Sequence, residues 1–120
     1  EELAKEILSS GKAILKMREI IKTQGGNPHV EIGHLKPGMH TYEVPGKKKG
    51  VVTAFNNQDL TIIAKILGCP VDKSAGVYLE RRVDERVDKD DILCILYSSD
   101  KWRLKEAIET LPNVPIYTIE

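Results

Sequence analysis

The stretch "GVYLERRVDERVDKDDILCILYSSDKW", Gly76 to Trp102, decides how this chain folds. Its segment "ILCILYS" (92–98) is a continuous apolar run of strand length, which reads as a buried strand. Ahead of it "AGVYLERRV" (75–83) alternates as another strand, and "DERVDKDD" (84–91) reads as a charged turn region. The residues after Asp100-Lys101 are decisive. "WRLKEAIETL" has a period of 3.6, not two, so the chain passes from strand into a helix that Ser99 or Asp100 opens. Trp102, Leu104, Ala107, Ile108 and Leu111 give its stripe, Pro112 stops it, and "VPIYTIE" closes as a last strand.

Upstream, "TYEV" (41–44) is a short strand, "PGKKKG" a turn, and "GVVTAF" (50–55) a second strand. "NNQDLTIIAKILG" (56–68) then predicts a three-turn helix. Asn56 or Asn57 caps it, Leu60, Ile63, Ala64 and Leu67 share one face, and Gly68 and Pro70 stop it. At the start, Leu3, Ile7 and Leu8, then Ala13, Ile14, Met17, Ile20 and Ile21, recur at helical spacing. They form one amphipathic helix, or two broken at "SSG" with Ser9 or Ser10 capping the second. Gly25 and Gly26 mark its end, and residues 28–38 are loop-like. The order is helix, strand, strand, helix, strand, strand, helix, strand, an α+β pattern.

The totals bound the function. One hundred and twenty residues suit one domain with an appended element, and 41% apolar with 30% charged residues is an ordinary globular composition. Eighteen basic and eighteen acidic side chains cancel, so no global field gathers a nucleic acid polymer, and "GKKKG" (46–50) reads as solvated surface. No run nears the roughly 20 apolar residues of a membrane span, so no membrane partner is expected. The opening "EELAKEIL" lacks an initiator methionine and reads as an excised or processed chain. Cys69 and Cys94 have no CxxC spacing, and His29, His34 and His40 stand alone, so no metal site is expected. Cys94 reads as a buried thiol and Cys69 as one just past a helix end. A reducing, cytoplasmic setting is the default for such cysteines.

An apolar half-barrel run ending in Asp-Lys is also where swinging-arm carrier domains place the lysine for lipoate or biotin. Val83, Val87, Ile92 and Ile95 fall where such a half-barrel puts its core. That lysine must sit at an exposed turn between two strands, whereas Lys101 falls in the first turn of a helix. Lys101 therefore reads as surface, and Lys16, inside the first helix, cannot form a hairpin tip.

The landmarks "SGKA" (10–13), "QGG" (24–26), "GVVTAFNNQDLTIIAKILG" (50–68), "VDKSAGVYL" (71–79) and "DDILCILYS" (91–98) lie in an order that resembles the C-terminal part of pyrimidine-nucleoside phosphorylases. In particular it is similar to the archaeal branch, thymidine phosphorylase or AMP phosphorylase. The resemblance implies that residues 1–26 are a helical segment from the end of a catalytic α/β domain and 27–40 a linker. Residues 41–120 would then be an α/β-hammerhead domain with barrel-sandwich-like strands. It implies a parent enzyme, a pentosyltransferase in which phosphate attacks the anomeric carbon of a nucleoside or of AMP, leaving free base and sugar 1-phosphate.

Phosphate would be a co-substrate, with no cofactor. The partners would be the catalytic domain of the same chain, nucleoside or nucleotide plus phosphate, and further copies in a homo-oligomer. The family's phosphate loop, of Lys-x-Ser-Thr-Gly-Gly type, has only "KSAG" (73–76) as its nearest string here. "KSAG" lacks the threonine and the paired glycine, and it precedes a strand rather than a helix N-terminus. The stretch "GCPVDK" (68–73) is also shorter than the glycine-rich run many relatives carry there. The catalytic, cofactor-binding and metal site residues of this chain are accordingly expected to be none. The alternative is a hammerhead or barrel-sandwich interaction or carrier module without enzymatic activity.

Overall fold

The computed structural model describes all of residues 1–120. The chain divides into two compact units, Glu1–Leu35 and Lys36–Glu120.

The first unit holds helices α1 (Glu2–Ser9) and α2 (Lys12–Thr23), broken at the expected "SSG". The cap differs from expectation. Gly11, at φ 76°, is the N-cap of α2, and no side chain caps it. Ser9 and Ser10 instead donate back to the carbonyls of Glu6 and Ile7 in the last turn of α1. At the far end Gly25 (φ 79°) turns the chain, and the Gly26 amide donates to the Ile21 carbonyl. Neither helix contains a buried residue.

The second unit is α+β. Its elements are β1 (His40–Pro45), β2 (Gly50–Phe55), α3 (Asn57–Leu67), β3 (Gly76–Leu79), β4 (Arg86–Val87), β5 (Ile92–Ser98), α4 (Lys101–Thr110) and β6 (Tyr117–Ile119). They form two three-stranded antiparallel sheets, ordered β1-β5-β3 and β4-β2-β6. β1 and β2 are not a hairpin. The turn between them carries the chain from one sheet to the other and is tied to the turn before β5, the Gly46 amide donating to the Asp91 carbonyl and the Asp90 amide to that of Gly46.

β5 lies at the centre of the first sheet, Tyr42 and Val77 flanking Leu96 in register. Cys94 and Leu96 point to one face, packing with Ile63, Leu67, Leu104, Ala107 and Ile116. Leu93 points the other way and joins Val52 and Val87 under the second sheet. Burial on both sides is why the strand reads as a continuous apolar run rather than an alternating one. Tyr117 joins the sheets. Its hydroxyl donates to the Leu93 carbonyl at 2.6 Å, and its ring meets Phe55 edge-on with centroids 5.1 Å apart.

Three expectations need correction. The strand read over 75–83 ends at Leu79, where the Glu80 and Arg81 amides both donate to the Leu93 carbonyl and the ladder stops. Val83, placed in the half-barrel core, is 43% exposed for that reason. The charged region 84–91 contains the short strand β4, whose Val87 pairs with Gly50 and is 2% exposed. Two residues carry no readable period. Finally, Trp102 is 76% exposed: it stands two residues from Leu104, across the helix from the face that buries Leu104 and Ala107.

Candidate functional site

Two of the segments singled out by sequence, Asp100-Lys101 and "KSAG", lie at the junction of β5 with α4. Asp100 is the N-cap of α4, its carboxylate accepting from the Trp102 amide at 2.7 Å and the Arg103 amide at 3.4 Å. Lys101 is thus the first residue of the helix, exposed and forming no ion pair, and no strand comes directly after it to make a carrier hairpin. Beneath the junction lies Ser98, fully buried. Its hydroxyl donates to the Leu67 carbonyl at the end of α3 and accepts from the Asp100 amide.

The "KSAG" segment is held at the same place by Asp72. The Asp72 carboxylate accepts from the Ser74 amide and hydroxyl at 2.9 and 2.7 Å. It also accepts from the Ser99 amide and hydroxyl at 3.2 and 2.6 Å. Those donors, the Ser99 hydroxyl foremost, hold the carboxyl well below the usual carboxylate range. Gly38 closes the cluster, donating its amide to the Ser74 carbonyl. It passes so near that a Cβ there would lie 2.3 Å from the Ser98 carbonyl carbon. Ser74 is thereby engaged in bonds to its own chain, and "KSAG" leads into β3 rather than a helix. It offers no ring of free amides to an anion.

Asp72 gives a pH test. Its carboxyl is depressed from an ordinary 3.8, so its stabilisation is complete above that value and is lost as pH falls from there toward the folded-state pKa. Asp72→Asn should lower the melting temperature at pH 6 and narrow the gap to wild type at pH 3. Melting curves that stay equally separated at both pH values would show that Asp72 does not carry the difference.

The cysteines are free. Cys94 is 1% exposed and burial pushes its thiol up to about 12, whereas Cys69 is half-buried and donates its Sγ hydrogen to the Ala75 carbonyl. A thiol reagent should therefore label Cys69 first and Cys94 only on unfolding; fast labelling of both in the folded chain would mean that β5 is not central. His29 and His34 are exposed, His40 is half-buried, and no group of three or more His, Cys, Asp or Glu side chains converges.

One concavity was not legible in the sequence. An apolar groove of about 610 Å³ between β1 and β6 is lined by Val44, Leu93, Cys94, Ile108, Leu111, Ile116 and Ile119. Lys47 and Lys48, from the β1–β2 turn, stand among its lining residues. It is assembled from four separated segments, and no local pattern announces such a meeting. The hub at Asp72 was half legible: Asp with Ser two residues on is an Asx-turn signature, but its bond to Ser99 spans 27 positions.

Comparison with known proteins gives the setting of this geometry. The profile of the pyrimidine nucleoside phosphorylase C-terminal domain matches residues 51–117, from β2 to the start of β6. An AMP phosphorylase of Pyrococcus horikoshii is 42% identical over 108 residues, 90% of this chain and 22% of that protein. An AMP phosphorylase of Methanocorpusculum labreanum is 41% identical over 108 residues, 90% of this chain and 21% of that protein. One of Methanosarcina barkeri is 36% identical over all 120 residues, 24% of its own length. The chain belongs to the pyrimidine nucleoside phosphorylase C-terminal domain family. It spans between a fifth and a quarter of the length of these curated relatives. No helix of the chain is long and apolar enough to cross a membrane.

Proposed function

We propose that this chain is the non-catalytic C-terminal domain of a cytoplasmic, homo-oligomeric phosphorylase acting on AMP or a pyrimidine nucleoside. In the parent reaction a phosphate oxygen bonds to the anomeric carbon and the carbon–nitrogen bond breaks. The base leaves with the electron pair, and the sugar keeps the new phosphate ester. Such chemistry needs an anion cradle and donors for the departing base. We assign no residue of this chain to either role. Residues 41–120 are read as the hammerhead domain, 27–40 as the linker, and 1–26 as the helical end of the catalytic domain, whose surface the α1–α2 stripe covers.

The observation that carries this reading is the family match over 51–117 joined to relatives about four to five times longer. The names of those relatives put AMP ahead of thymidine and uridine as the substrate to try first. The test is to express the complete reading frame beside the 120-residue chain and assay phosphate-dependent release of free base from AMP, thymidine and uridine. The complete protein should release base, and a Lys-x-Ser-Thr-Gly-Gly loop should precede this region in its sequence. The 120-residue chain should release none above buffer controls. Release by the short chain, or an inactive complete protein without such a loop, would overturn the proposal.

A further inference from the structure

We infer that the groove between β1 and β6 is the seat of an extended segment from the rest of the parent chain, apolar along its length and carrying an acidic residue. The inference rests on the proposed function, which supplies a longer parent.

Two of the elements that line the groove, beside α4 and β5, are edge strands. β1 ends one sheet and β6 ends the other, and neither has a strand on its outer side. An open edge presents unpaired backbone donors and acceptors, which an added strand satisfies and a compact ligand does not. Between the edges the lining is aliphatic, from Val44, Ile108, Leu111 and Ile119, and suits the alternate side chains of such a strand.

In the β1–β2 turn Lys49 is paired with Asp88 at 2.9 Å, whereas Lys47 and Lys48, which line the groove, form no ion pair. Two free ammonium groups beside an apolar trough complement a carboxylate on its occupant. The 108 matched residues are 22% of the Pyrococcus horikoshii relative, so a parent of that size carries several hundred more residues tethered to the groove. A tethered segment binds at high effective concentration and needs little intrinsic affinity.

The experiment compares the 120-residue chain with the complete protein by lysine acetylation and amide hydrogen exchange, both read by mass spectrometry. Lys65, exposed on α3, serves as the reference for acetylation. In the complete protein Lys47 and Lys48 should acetylate roughly tenfold more slowly, the ratio that about 1.4 kcal/mol of segment binding gives. Amides of 41–45 and 117–119 should gain protection together with them. The double variant Lys47→Glu, Lys48→Glu lies in an exposed turn and should keep its fold, yet lose the gain at 117–119.

Equal rates in the two proteins would overturn the inference. So would shielding that vanishes on dilution, which would make a second copy the occupant. Amide shifts confined to the groove on adding decanoate to the complete protein would show it open to a small amphipathic anion, and would likewise overturn it. A complete protein that shields the groove but releases no base would sink the enzymatic reading alone. One that releases base with the groove unshielded would sink this inference alone.

Discussion

Leu96→Ala should lower the unfolding free energy by about 2–5 kcal/mol, the range of large-to-small changes at sites that cannot collapse. Leu96 is fully buried at the middle of β5, the central strand of its sheet, with Tyr42 on one side and Val77 on the other. Its side chain packs in the cluster that α3 and α4 complete through Ile63, Leu67, Leu104 and Ala107. Hydrogen-bonded strands fix its backbone on both sides, so the neighbours cannot move in to fill the space. Urea unfolding should show a lower midpoint with an unchanged slope. Trp102→Ala removes a much larger side chain, yet should cost only about 0.5 kcal/mol, because most of that indole already faces water. A Leu96→Ala cost below about 1 kcal/mol would mean the core around β5 is not tightly packed.

That contrast also shows which parts of the fold the sequence discloses. Elements with several turns or several alternations were legible: α3, β5 and α4 lie where their periods put them, Asn56 and Asp100 proving to be the caps among the two candidates at each start, while the closing strand read over 114–120 keeps only Tyr117–Ile119. Period and capping are local, and local signals survive in one dimension. β4 was not legible because two residues have no period. The reach of Trp102 was misjudged because an aromatic residue beside a stripe looks like part of it until the helical angle is counted. Nor could the pattern reveal that β1 and β2 go to different sheets, since a six-residue strand, a turn and another strand describe a hairpin equally well. The groove and the Asp72–Ser99 bond were not legible, because both depend on contacts between distant segments.

Residues 2–23 should exchange their amide hydrogens on the order of a thousand-fold faster than the interior of β5 in the 120-residue chain. α1 has 8 residues and α2 has 12, and isolated helices below about 12–15 residues are marginal in water. Packing would have to make up the deficit, but neither helix holds a buried residue, and Leu3, Leu8, Leu15 and Met17 are each more than half exposed. Opening such helices costs little, whereas opening β5 requires global unfolding, and a difference of a few kcal/mol sets the ratio. Exposed side chains of this size are also a liability, each worth about 1.5–3 kcal/mol if covered. Raising the protein concentration should therefore drive self-association through α1 and α2, and protection there should rise with it. In the complete protein the same amides should be protected at every concentration, because the proposed catalytic domain covers them. Strong protection of residues 2–23 in a chain shown by sedimentation to be monomeric would overturn this account. It would place the two helices in one folding unit with the sheets and remove the proposed boundary at Gly26.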